Sequence, residues 1–129
     1  MARGVTLDTG ALIALERRRV GITRRVRAAV LVQERVSVPS PVIVEWWRGG
    51  RRQTQFQRLF RPRGLRVEPT SFEVARLAGE AIAKTGATPI DAIVMAGAAQ
   101  RGDVVFTSDM HDLQALQAVF PGVRLFGVT

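Results

Sequence analysis

Apolar residues along the chain fall into two alternating rhythms. "GVTL" (4–7), "VSVP" (36–39), "LRVEP" (65–69), "DVVFTS" (103–108) and "GVRLFG" (122–127) are short, valine-rich runs bounded by turn residues, which predicts strands. Between them the period lengthens to that of a helix. "GALIALERRR" (10–19) sets Leu12, Ile13 and Leu15 on one stripe, and "ITRRVRAAVLVQE" (22–34) spaces Ile22, Val26, Ala29 and Val30 in the same way. In "SPVIVEWW" (40–47), Ser40 is the expected N-cap with Pro41 at the first helical position. Gly49-Gly50 should bend that helix before "RRQTQFQRLF" (51–60) resumes it. "SFEVARLAGEAIAKTG" (71–86) is capped by Ser71 and ended by Gly86; "TPIDAIVMAGAAQRG" (88–102) and "HDLQALQAVF" (111–120) complete the helices.

Strands alternating with helices predict one α/β domain over residues 1–129, with a central parallel sheet of four to five strands flanked by helices. Both faces of such a sheet are covered, which suits strands as apolar as "VVF". A site then belongs in the loops at the carboxyl ends of the strands.

Charge alters this picture. The formal net charge is +8, and Lys84 is the only cation besides arginine and the single histidine. Residues 1–66 carry fifteen arginines against Asp8, Glu16, Glu34 and Glu45, a net of +11, while residues 67–129 come to −3. Arginine presents a planar fork of donors that matches phosphate and carboxylate, so a basic half suits nucleic acid or an acidic protein. A codon bias towards arginine explains the same composition, and charge alone leaves both readings open. The absence of cysteine excludes disulfides, thiolate metal sites and a cysteine nucleophile. No apolar run reaches the ~18 residues of a membrane span, and the first residues lack the apolar stretch of a signal peptide, so a cytoplasmic location is expected.

The acids are few and oddly placed. Asp8 follows "VTL", Asp109 follows "VVFTS" with Asp112 three residues on, Asp91 opens the 88–101 helix, and Glu45 interrupts "VIVEWW". A parallel α/β fold can gather all of these at one rim of its sheet. Gathered carboxylates repel unless a cation neutralises them, and oxygen-only ligands suit hard cations. Each acid also has an ordinary structural role. Thr88 and Asp91 have capping-box spacing, Asp109 and Asp112 suit a helix N-terminus, and Asp8 suits a turn before Gly10. Glu45 resists this treatment, because a carboxylate among Val42, Ile43, Val44, Trp46 and Trp47 carries a desolvation cost; an ion pair with Arg48 or Arg51 is its best structural account. The lone His111 is expected on an exposed first turn.

Together, "VTLDTGALIAL", "VIVEWWRGG" and "TPIDAIVMAGAAQRGDVVFTSDMHDL" resemble the PIN domain, and more narrowly the VapC-type toxin ribonucleases of bacterial toxin–antitoxin pairs. The resemblance runs over essentially the whole chain. It implies a Mg2+- or Mn2+-dependent endoribonuclease whose acidic quartet is Asp8, Glu45, Asp91 and Asp109, with Asp8, Asp91 and Asp109 as metal ligands. Asp112 matches an additional acid found in some members, and Thr107 and Thr9 match hydroxyl residues beside the last and first acids. The "HDL" of this chain departs from the family pattern, in which an aromatic often stands. Also implied are an RNA substrate held by the Arg-rich half (Arg48, Arg51 and Arg52 being nearest), a cognate antitoxin, and a homodimer. The loop "FTSDMHDLQ" is expected to close the rim on the side opposite Asp8. Surplus apolar residues among Leu12, Ile13, Trp46, Trp47, Phe56, Leu59 and Phe60 are expected to form a partner groove for an antitoxin helix, or a dimer contact. A catalytically silent PIN-like module that binds RNA or protein is the alternative. A phospho-accepting signalling domain fits poorly, because it wants an acidic pair after the first strand and a late lysine.

Overall fold

The computed structural model describes residues 3–128. Five strands, β1 (Val5–Leu7), β2 (Val36–Pro39), β3 (Leu65–Glu68), β4 (Val104–Thr107) and β5 (Leu125–Gly127), form one sheet in the order β3-β2-β1-β4-β5. Every pairing is parallel, with Leu7 opposite Phe106 and Val5 opposite both Val36 and Val104. Helices α1 (Thr9–Glu16), α2 (Val20–Leu31), α3 (Ser40–Trp46), α4 (Arg51–Phe56), α5 (Phe72–Thr85), α6 (Pro89–Arg101) and α7 (Met110–Gln117) connect the strands, and a short 3-10 turn follows α4. The α/β sheet expected from the sequence is therefore present with five strands.

The central strands β1 and β2 are buried along their whole lengths, and Leu7, Val36, Val38 and Val105 are fully enclosed. Helix α6 explains its own apolar composition. Ala92 and the run Val94–Ala98 are buried, so the helix is covered on several sides by α5, α7 and the sheet.

Two helix ends depart from the sequence reading. Helix α1 stops at Glu16 rather than running to residue 19, and α2 starts at Val20 rather than 22. Arg18 turns left-handed (φ 56), while Arg18 N–H donates to Leu15 O and Arg19 N–H to Ala14 O. Gln33 (φ 60) ends α2 in the same way, with Gln33 N–H on Val30 O and Glu34 N–H on Ala29 O. Both are Schellman closures without the glycine that usually announces them. At α3, Pro39 holds the N-cap position and Ser40 is already helical, so Ser40 is not the cap.

The apolar surplus expected to form a partner groove is mostly core. Leu12 and Trp46 are buried, and Ile13, Phe56 and Phe60 pack against the core. Trp46 gathers Trp47, Phe56 and Phe60 around it at ring-centroid distances of 5.6, 5.5 and 6.0 Å. Of the seven residues only Trp47 and Leu59 stay substantially exposed.

At the amino end of the sheet Asp103 is buried and fully bonded. It accepts from Arg35 Nη2 at 3.1 Å, Arg101 Nε at 3.0 Å and Thr6 Oγ1 at 2.9 Å. Gly4 is required here, because a Cβ would collide with the Asp103 carboxylate. Sequence reasoning did not single out Asp103. It is a structural carboxylate, far from the strand ends where the other acids stand.

Candidate functional site

Parallel strands bring their carboxyl ends to one side, and β1 and β4 are neighbours. The register that pairs Leu7 with Phe106 sets Asp8 beside Thr107, with Asp109 two residues further on. Asp109 thus stands next to Asp8, not across the rim from it. Gly10 makes this closeness possible, because a Cβ there would collide with Ser108 Oγ.

Asp8 is buried and caps α1, its Oδ1 accepting from Ala11 N–H at 2.8 Å. Its carboxyl is pushed up to about 6. Burial is the main cause; hydrogen bonds from Thr107 and Ala11 oppose it, and the charges of Asp91 and Asp109 add to it. Thr107 is fully buried and works in two directions, since its Oγ1 also accepts from Asp109 N–H at 2.8 Å. The hydroxyl thus stands between the first acid and the backbone of the fourth.

Asp91 sits half-buried in the first turn of α6. Thr88 Oγ1 accepts from Asp91 N–H at 3.4 Å, which is half of a capping box, made by the backbone of Asp91 rather than its carboxylate. The Asp91 carboxyl is raised by burial first, against a hydrogen bond with Thr88, and then by the charges of Asp112, Asp109 and Glu45. Asp109 and Asp112 do stand at the N-terminus of α7, where the helix dipole favours them, but Asp109, at the N-cap position, makes no side-chain capping bond and its side chain is exposed. Asp112, also exposed, is raised by a hydrogen bond with Asp109 and by that residue's charge, with His111 opposing.

Glu45 corrects the sequence reading in its premise. It lies on the exposed side of α3, so no desolvation cost accompanies it. The ion pair with Arg48 or Arg51 is absent among the described residues, where Arg35, Arg76 and Arg101 make the only salt bridges. Arg48 instead points its Nη1 at Val44 O and Trp47 O, at 3.1 and 2.7 Å. Arg51 and Arg52 are exposed at the start of α4, and His111 is exposed as expected.

The structure therefore brings Asp8, Glu45, Asp109 and Asp112 within electrostatic reach of Asp91, and Asp8 and Asp112 within reach of Asp109, so that Asp91 and Asp109 stand at the centre of the group. Among the described residues no three of them converge into a ready-made cation cage. The donor set nevertheless suits a hard divalent ion. It offers carboxylate oxygens, with the side chains of Glu45, Asp109 and Asp112 exposed to solvent. Thr9 adds a buried hydroxyl with no hydrogen-bond partner.

Comparison with known proteins agrees with this architecture. The family model described as PIN domain matches residues 5–116, so the chain belongs to the PIN domain family. In fold it is similar to several solved toxin–antitoxin complexes. A DNA-bound VapBC from Salmonella typhimurium is 21% identical, with a TM-score of 0.74 and 98% of each chain covered. A toxin–antitoxin complex from Klebsiella pneumoniae is 20% identical, with a TM-score of 0.73, covering 97% of this chain and all of the other. VapBC2 from Rickettsia felis, bound to a promoter DNA fragment, is 13% identical at a TM-score of 0.73 over 97% of this chain and 98% of the other. No curated protein sequence matches significantly.

Proposed function

We propose that this chain is a metal-dependent endoribonuclease, the toxin of a toxin–antitoxin pair, which hydrolyses RNA phosphodiester bonds at the acidic rim. One observation carries the reading: Asp8, Glu45, Asp91 and Asp109 come from four separate segments to the carboxyl end of one sheet, where burial and then the charges of the neighbouring acids push up the carboxyls of Asp8 and Asp91. Structural acids avoid such company unless a cation relieves it.

Asp8, Asp91 and Asp109 would hold Mg2+ or Mn2+, with Asp112 beside them. When bound, the ion would activate water and stabilise charge on the phosphoryl group. The chain's own residues supply the rest. Glu45, exposed and unpaired among the described residues, would bind or orient the attacking water or a second metal. Thr107 holds the Asp109 backbone through its buried hydroxyl. Arg51 and Arg52 offer forked donors to the RNA backbone, whereas Arg48 is partly engaged in closing α3.

The partner reading has separate support. The fold resembles toxins solved in complex with antitoxins, and a groove of about 780 Å³ runs between α1, α2 and α4. Leu15, Phe56 and Leu59 line it, with Arg17, Arg27 and Arg52 around them, which suits an amphipathic segment bearing acidic residues. A homodimer and a cytoplasmic location belong to the same reading. Among the described residues no helix is long and apolar enough to cross a membrane.

The deciding experiment incubates purified chain with RNA in EDTA, then with added Mg2+ or Mn2+, alongside Asp109→Asn as a control for contaminating nuclease. Cleavage that needs metal and Asp109 is expected. RNA binding without cleavage would assign the chain to the silent PIN-like module, and full activity in excess EDTA would remove the metal from the mechanism.

A further inference from the structure

Glu45 is the least secured of the four acids. It is the penultimate residue of a seven-residue helix, a length too short to hold itself together. The connection to α4 that follows bends through Gly49 (φ 85) and Gly50 (φ 96), conformations in which the backbone is soft. The last turn of α3 has one backbone closure of its own, Trp47 N–H on Ile43 O at 2.7 Å.

Gln53 of α4 adds to it. Its side chain is buried and spends both ends of its amide on that turn. Nε2 donates to Trp46 O at 2.9 Å, while Oε1 accepts from Arg48 N–H at 2.7 Å and Gly49 N–H at 2.9 Å. A buried position on a short helix would ordinarily take an apolar residue. A buried amide making three bonds to one neighbouring stretch of backbone serves the geometry of that stretch. Trp46 is gripped a second time by its ring, whose Nε1 donates to Glu16 Oε1 on α1 at 2.9 Å. The residue next to Glu45 is thus pinned by backbone and by side chain.

We infer that Gln53 is a positioning residue for Glu45: it locks the end of α3, the turn that carries this carboxylate at the acidic rim. The inference rests on the nuclease reading. Gln53 touches neither substrate nor reacting atoms, and it acts only through the backbone that carries Glu45. An amide is needed, because the site demands one donor and one double acceptor.

The test is a double-mutant cycle with Gln53→Met, nearly isosteric but without hydrogen bonds, and Glu45→Gln. On an RNA oligonucleotide with Mn2+, Gln53→Met should lower kcat by about tenfold and leave KM within about twofold, as expected for misplacement without lost substrate binding. In the Glu45→Gln background it should cost less than about twofold more, because the carboxylate it positions is already gone. Additive losses, or an unchanged kcat, would overturn the inference. Hydrogen exchange gives a readout independent of activity. Amides 45–49 should lose about tenfold protection in Gln53→Met while α5 and α6 keep theirs, and uniform loss or no loss would overturn it too. If Gln53→Met does not fold, Gln53→Glu carries the same cycle, keeping the acceptor and losing the donor. A wild-type chain that cleaves nothing would instead sink the nuclease reading, with the exchange arm still judging the clamp.

Discussion

A carboxyl that titrates near 6 makes Asp8 a measurable source of instability. Its folded value lies above the ordinary 3.8, so the folded chain binds this proton more tightly than the unfolded chain. The resulting stabilisation is complete below about pH 4 and disappears as pH rises towards 6, a loss of about 3 kcal/mol for a shift of this size. Asp8→Asn retains an oxygen for the Ala11 N–H but cannot ionise. In EDTA, its stability relative to wild type should therefore grow between pH 4 and 6 and level off above 7, as followed by urea unfolding. A difference that stays flat across this range would show that Asp8 is not strained. Asp91 tests the same repulsion with less burial. Because Thr88 bonds its backbone, Asp91→Asn preserves that bond. Metal-free melting should rise by about 2–5 °C, the gain from Mn2+ should shrink, and cleavage should stop.

Elements rather than single groups set the sharper stability predictions. Gln33 closes α2 with a left-handed backbone that costs a non-glycine residue energy and has no compensating side-chain contact among its hydrogen bonds. Gln33→Gly should stabilise the chain by about 0.5–1 kcal/mol in thermal or denaturant unfolding. Asp103 lies at the other extreme. It joins β1 through Thr6, the end of α6 through Arg101 and the start of β2 through Arg35, and it has no exposed side-chain surface. Replacing it with Ala would remove three hydrogen bonds and leave the half-buried Arg101 without its carboxylate, a loss of about 2–3 kcal/mol in denaturant unfolding. The folded fraction should still cleave RNA, since this network sits at the end of the sheet opposite the acidic rim.

Over the whole molecule the charges divide by sequence, and the fold turns that division into surfaces. Most of the first-half arginines are exposed, while the acids of the rim come from both halves. RNA affinity should therefore fall steeply with salt, with a slope of about −0.7 in log K against log salt for each phosphate neutralised on a single strand. Arg51→Gln with Arg52→Gln should flatten that slope without altering which sequences are cut. If the slope is unchanged and antitoxin binding weakens instead, these arginines face the protein partner.

Periodicity, turn residues and valine-rich runs were enough to determine a sheet of four to five strands, the helices between them and the parallel α/β class, because these properties are written in local spacing. The candidate acids were legible for a related reason. Asp8 and Asp109 directly follow strands, and a parallel sheet sends all strand ends to one side. What lay beyond the sequence depends on contacts between distant segments. Helix ends closed by Arg18 and Gln33 carry no local signal, since their left-handed turns are held by hydrogen bonds where glycine would normally stand. The surroundings of Glu45 in sequence suggest burial, yet α3 turns it outward; only packing decides which side of a seven-residue helix meets the core. Asp103 and Gln53 are unremarkable in sequence because their partners lie on other strands and helices. Tertiary structure alone made one the anchor of the sheet and the other the clamp on Glu45.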